Sequence, residues 1–250
     1  MNLVQDDVIL LAGITGRIGA APLTTLVAEG ARVVVLSRDR KRAEAAIAAA
    51  LEPNLRNRAL ALAADLYDPA SAAAAVAECV KTFGRLDALV NLAGSGWRRK
   101  TVTDSGLGDL RETLAEVIDT AYNLAQAALR TMLAQPYREG ARSRGRIVTV
   151  TATTAKAPNP GMSAFATAKA GVNALMLSIA REHKADGIVA NALLVGGIAF
   201  PGADHFRSET ARATAVSVQE LTNTLTFLAS DRSSGINGAL LDLTARLTDR

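Results

Sequence analysis

The chain of 250 residues holds a single cysteine, Cys79, which excludes a disulfide within the chain and any cysteine-built metal cluster. Its only histidines, His183 and His205, lie far apart and show no metal-ligand spacing, so no metal is expected. Aromatic residues make up 4% of the chain while alanine is abundant, a composition that suits closely packed helices on a sheet of Val, Ile and Leu. The excess of one sign of charge over the other is also small. The net charge is +4, and no basic run is interleaved with aromatics, which speaks against a nucleic-acid partner and leaves room for an anionic small ligand. Neither a secretory or transit signature nor an apolar run of bilayer length stands out, so the expectation is a cytoplasmic protein with no membrane partner.

What is present is an alternation of short apolar runs with longer helical periods. Strands are expected at Val8–Ala12, Arg32–Leu36, Arg58–Ala63, Ala88–Leu92, Arg146–Val150, Val189–Leu194 and Ala239–Leu243. Helices are expected at Ile18–Glu29, Lys41–Leu51, Ser71–Phe83, Leu107–Leu133, Ala164–Lys184 and Val218–Ser230. Strands alternating with helices build parallel βαβ units, and an unbroken apolar strand such as Val33-Val34-Val35-Leu36 suits a sheet covered on both faces. The expected fold is α/β, a single doubly wound Rossmann-type domain over residues 1–250 with a mainly parallel seven-stranded sheet. The polar stretch Gln135–Arg144 reads as an exposed loop, and residues 196–215 as a lid over a ligand.

Between the first strand and first helix lies Ala12-Gly13-Ile14-Thr15-Gly16-Arg17-Ile18-Gly19, with glycines every third residue. Glycines let a backbone turn tightly against a pyrophosphate, and the helix N-terminus aims N–H groups at it. At the end of the second strand stands Ser37-Arg38, where an acidic residue would hold the ribose of NAD. Asp39 comes too late for that role and reads as a turn or helix cap. A guanidinium suits a 2′-phosphate that a carboxylate would repel, and Arg17 adds a second charge nearby, so NADP is expected ahead of NAD.

The loop resembles the glycine motif of the short-chain dehydrogenase/reductase family, Thr-Gly-x-x-x-Gly-x-Gly. Gly13 and Gly19 match it, while Arg17 takes the middle glycine's place and Gly16 precedes it. Asn91-Leu92-Ala93-Gly94 resembles the family's Asn-Asn-Ala-Gly, preceded by Asp87 at a position where the family commonly has Asp. Asp65, in Ala63-Ala64-Asp65-Leu66, resembles the aspartate that binds the adenine amino group. The resemblance therefore implies cofactor contacts from Gly13, Thr15, Gly16, Arg17, Ile18 and Gly19. It implies others from Ser37, Arg38, Asp65 and Leu66, from Asn91, Ala93 and Gly94, and from Lys169 and Ile198.

At the catalytic positions the resemblance thins. In Ser163-Ala164-Phe165-Ala166-Thr167-Ala168-Lys169 the family lysine is present, and Phe165 stands where the tyrosine would be. Ala152, ending Gly145-Arg146-Ile147-Val148-Thr149-Val150-Thr151-Ala152, falls on the serine, and Val117 on the asparagine that holds a relay water. Val195-Gly196 replaces the family's Pro-Gly, and Phe200 stands where a threonine commonly holds the carboxamide. A phenyl ring cannot exchange a proton as a phenol can. Thr151, Thr153 and Thr154 are candidate substitutes for the serine, Thr151 with a strand's alternation against it. Ser163 and Thr167 flank Phe165, and Asp204 and His205 in the lid are candidate acids. Trp97-Arg98-Arg99-Lys100 could receive an anionic substrate or be a solvated loop.

Three functions stay open: an NADP-dependent oxidoreductase with a degenerate site, a catalytically silent dinucleotide-binding sensor or partner protein, and a non-redox enzyme. The small-molecule substrate is unread. The long segment from Leu107 and the helix from Ala164 resemble the pair that forms the family's four-helix interface, which implies a homodimer or homotetramer.

Overall fold

The computed structural model describes residues 3–14, 18, 20–94, 98–200 and 215–244. Seven strands form one parallel sheet: β1 (Val8–Ala12), β2 (Arg32–Ser37), β3 (Ala59–Ala63), β4 (Ala88–Asn91), β5 (Gly145–Ala152), β6 (Ile188–Val195) and β9 (Leu240–Leu243). Their order across the sheet is β3-β2-β1-β4-β5-β6-β9, so the chain winds outward from β1 in one direction and then from β4 in the other. That reversal between β1 and β4 opens a crevice at the carboxyl ends of the strands, the usual ligand position in such sheets.

Strand alternation explains both layers. Ile9, Leu11, Val33, Val35, Val90 and Val148 face one side and pack with Leu23 and Leu26 of α1 (Ala20–Ala28). Leu221, Leu225 and Leu228 of α7 (Val218–Ala229) complete that side. Val8, Leu10, Val34, Leu36, Leu89 and Ile147 face the other side. There they meet Val76 and Cys79 of α3 (Pro69–Phe83), Leu124 and Met132 of α5 (Thr120–Ala134), and Met176 and Ile179 of α6 (Ser163–Glu182). Cys79 is a buried small hydrophobe whose thiol burial pushes up to about 12.

Local chemistry sets the helix starts. Asp39 caps α2 (Arg40–Ala50) by accepting from Lys41 N at 2.8 Å, so its carboxylate is the helix cap expected from the sequence. Ser217 and Glu220 form a capping box on α7, and Asp68 caps α3 with Pro69 in its first turn. At the amino ends of the strands, buried Asp87 accepts from Val8 N at 2.9 Å and joins β1 to β4. Buried Arg146 reaches Asp7 at 2.8 Å and fixes β5 against the same end.

Three expectations need correction. The segment from Leu107 is not one α-helix: α4 (Leu107–Leu114) and α5 are joined by a wide π turn at Ala115–Asp119. Thr120 Oγ1 donates to Glu116 O at 2.8 Å and satisfies a carbonyl that the widened turn frees. The 20-residue helix α6 is long and apolar enough to span a bilayer by composition, contrary to the sequence reading, but here it packs on β5 and β6. Finally, two short strands escaped the apolar pattern: β7 (Ile198–Ala199) pairs in parallel with β8 (Val216–Ser217), flanking residues 201–214. Most of the expected lid, with Asp204 and His205, therefore lies outside the described residues, as do Thr15, Gly16, Arg17, Gly19 and Trp97.

Candidate functional site

A cleft of about 530 Å³ runs along the carboxyl ends of β1, β2, β3 and β4. Its floor is two loops in contact. Gly13, at φ 86°, closes β1, and a Cβ built there would stand 2.5 Å from Ala93 N and from Leu92 C. Only glycine permits that approach, which is the geometry a backbone cradle for a pyrophosphate requires. Ala93 N donates to Asn91 Oδ1 at 2.9 Å, holding the second loop in its turn, while the buried Asn91 Nδ2 has no partner among the described residues. Gly94, at φ 93°, passes so close to the π turn that a Cβ would meet Val117 Cα at 3.2 Å.

One end of the cleft is polar. Ser37, Arg38, Asp39 and Arg42 line it from the end of β2 and the first turn of α2, and Ile18 and Leu36 supply apolar surface. The Ser37 hydroxyl accepts from Asp39 N at 3.3 Å. Arg42 was not singled out from the sequence. Its position four residues after Arg38, across a helix cap, was the signal that both guanidiniums return to one cleft. Farther along, Asp65, Leu66 and Tyr67 follow β3, facing Glu116 and Thr120 of the π-turn wall. Asp65 Oδ1 accepts from Tyr67 N at 3.0 Å. Desolvation and the nearby Glu116 carboxylate hold the Tyr67 phenol above its ordinary range. Tyr67, Glu116 and Thr120 were also missed, since nothing in the local pattern marks them.

A second group of residues, outside the lining of that cleft, lies where β5 runs past its neighbour. Pairing with β4 stops at Asn91 opposite Thr149, while pairing with β6 continues to Ala152. Lys169 Nζ donates to Val150 O at 3.2 Å and sits 5.6 Å from the centroid of the Phe165 ring. Lys169 is only 6% exposed, and burial lowers its pKa to about 8. The ammonium thus meets a carbonyl and a π-face, with no acidic side chain bonded to it among the described residues. Val117 is buried at the centre of the π turn, and Ala152 ends β5. Gly171 brings α6 against the same turn, since a Cβ there would lie 2.8 Å from Ile118 Cδ1.

The structure therefore brings Phe165, Lys169 and the end of β5 together. Thr151 Oγ1 and Thr154 Oγ1 are buried and have no hydrogen-bond partner among the described residues. Of the basic segment, Arg98 binds Glu116 at 3.0 Å and Glu112 at 2.8 Å, and Lys100 binds Asp109 at 2.7 Å. Those two cations are engaged by α4 and the π turn. Phe200 lines the cleft, while Ile198 lies in β7 and is not part of its lining. His183 pairs with Asp186 at 2.9 Å near the end of α6, and no group of metal-ligating side chains occurs among the described residues.

Among solved structures, a short-chain type dehydrogenase/reductase from Mycobacterium ulcerans superposes with a TM-score of 0.84 at 24% identity, covering 96% of this chain and 88% of that one. An NAD+-bound xylitol dehydrogenase superposes with a TM-score of 0.82 at 24% identity, covering 97% and 99%. Both show the fold. In sequence, the short-chain reductase protein NovJ of Streptomyces niveus is 30% identical over 94% of this chain and 91% of its own. The 3-oxoacyl-(acyl-carrier-protein) reductase FabG of Escherichia coli K12 is 29% identical over 95% of both chains. Residues 7–211 match the short chain dehydrogenase family throughout. With a glycine-lined crevice at the β1/β4 reversal and a buried lysine four residues beyond Phe165, the chain belongs to the short-chain dehydrogenase/reductase family of oxidoreductases.

Proposed function

We propose that this chain binds NADP(H) and that its hydride end does not perform carbonyl chemistry by the serine–tyrosine route. Bound nicotinamide supplies or accepts a hydride, and the protein's own contribution is position and proton management. The residues fit a dinucleotide. Gly13 and the Asn91–Gly94 loop would hold the pyrophosphate and the adjoining ribose, Asp65 and Leu66 the base, and Lys169 the nicotinamide ribose. The NADP preference rests on Arg38 and Arg42 lining the end of the cleft beyond β2. The carboxylate in that stretch, Asp39, accepts from Lys41 N as a helix cap.

The observation that carries the catalytic half is the ring of Phe165 beside Lys169 Nζ. In the family the lysine lowers a phenol's pKa. Here there is no phenol to activate, Ala152 offers no donor to a developing oxyanion, and Val117 holds no relay water. A second reading, a dinucleotide-binding protein that does no redox chemistry and serves as a sensor or partner, draws support from the same contact, because Lys169 is already spent on Val150 O.

Fluorescence titration with NADPH and NADH tests the cofactor assignment. NADPH is expected to bind more tightly, and Arg38→Ala to lose about 1–3 kcal/mol of that affinity, as for a charge-assisted contact. Equal affinities, unchanged by Arg38→Ala, would refute it.

A further inference from the structure

We propose that Tyr67 provides the stacking face for the purine ring of the bound dinucleotide. The proposal rests on the dinucleotide reading above and adds to it a residue at the mouth of the base end. Tyr67 is 43% exposed and lines the cleft. The aromatic residues lining that cleft among the described residues are Tyr67 and Phe200.

The backbone that carries the ring is fixed from three sides. Asp65 Oδ1 accepts from Tyr67 N at 3.0 Å. Asn123 Nδ2, reaching over from α5, donates to Leu66 O at 3.0 Å and to Tyr67 O at 3.2 Å. Asp68, next in the chain, caps α3. The side chain itself is unfastened, since its hydroxyl makes no hydrogen bond among the described residues. A ring on an anchored backbone with a free face is pre-organised for a flat ligand and loses little freedom on binding.

Arg38, Asp65 and Glu116 line the same cleft as the ring and are near enough to act on its phenol. Leu66 lies beside it as apolar surface. A purine entering this end would meet Leu66 and the Asp65 carboxylate and would be covered by the tyrosine ring. Every base presents a π-face, so this contact would add affinity without reading the base edge, which is left to Asp65.

The test uses NADPH and the fluorescent probe 1,N6-etheno-adenosine 2′,5′-bisphosphate, which carries the purine and no nicotinamide. Wild type should quench the probe on binding. Tyr67→Phe should keep both quenching and affinity, whereas Tyr67→Leu should lose the quenching and bind probe and NADPH ~10-fold more weakly. Thermal midpoints should agree among the three, because the side chain is exposed. Tyr67→Ser gives the same comparison if the leucine variant folds poorly. Wild-type binding without quenching, or unchanged affinity in Tyr67→Leu, overturns the stacking assignment alone. Failure of wild type to bind either compound overturns the dinucleotide reading and this proposal with it.

Discussion

The cleft beyond β1–β4 and the region around Lys169 differ in kind although one sheet carries both. The cleft is lined by Ser37, Arg38 and Asp65, which the sequence singled out, and by Arg42 and Tyr67, which it did not. Lys169 is a buried cation with the Phe165 ring centroid 5.6 Å from its Nζ, while Ala152 ends β5 and Val117 is buried in the π turn. The framework around that lysine is intact. The π turn, the close pass of Gly94 and the tight seat of Gly171 against Ile118 still set α5 and α6 against the sheet.

The comparison can be broken first at the floor of the cleft. Gly13→Ala forces a Cβ onto the Leu92–Ala93 backbone at a residue with φ 86°. The new contact is with main chain, which cannot swing aside. Dinucleotide binding should be lost in titration, and unfolding experiments should show a loss of about 1–3 kcal/mol for the strained conformation alone. Binding at wild-type strength would show that the two loops are not the cradle.

Lys169 sharpens the other region. Burial lowers its pKa from 10.5 to about 8, so the folded state disfavours the charged form. Below pH 8 both folded and unfolded chains carry the proton, and the penalty is fully present, on the order of 3 kcal/mol. Between about 8 and 10.5 the unfolded chain binds more protons, so stability should rise with pH and the penalty should vanish above that range. Denaturation of wild type and Lys169→Met across this window reads the effect. The methionine variant, with nothing to titrate there, should show a flatter profile. It also removes the Lys169 hydrogen bond to Val150 O, so its net gain at pH 7 should fall short of the full penalty by about 1–3 kcal/mol. Parallel profiles would mean that the ammonium is solvated.

Much of this was legible from residue order alone. Unbroken apolar strands alternating with helical periods define a parallel sheet covered twice, and glycines after the first strand locate the crevice. The Asp39 cap and the Phe165–Lys169 spacing also stand out from the sequence. The π turn did not, because apolar spacing from Leu107 onward is compatible with a plain helix. The widening is held by tertiary contacts, a glycine of a distant loop at Val117 and the Thr120 hydroxyl on Glu116 O. Strands β7 and β8 are two residues each, too short to have a period. Tyr67 gave no signal because a lone aromatic after a strand acquires meaning only when the opposite wall, built by residues some fifty positions later, is in place. The basic run from Arg98 stayed open between an anion site and a solvated loop, because the partners of Arg98 and Lys100, Glu112, Glu116 and Asp109, come later in the chain.

The central claim is that the protein binds NADPH without the family's usual proton transfer. The direct measurement is NADPH consumption over a broad carbonyl panel by wild type and by the Ala152→Ser, Val117→Asn, Phe165→Tyr triple variant, both shown to bind NADPH. Wild type should show no turnover above the cofactor blank, and the variant should gain it, by ~10²–10⁴-fold for the restored acid. Wild-type turnover equal to that of the variant would contradict the claim and point to another donor, with Thr151 the first to be replaced.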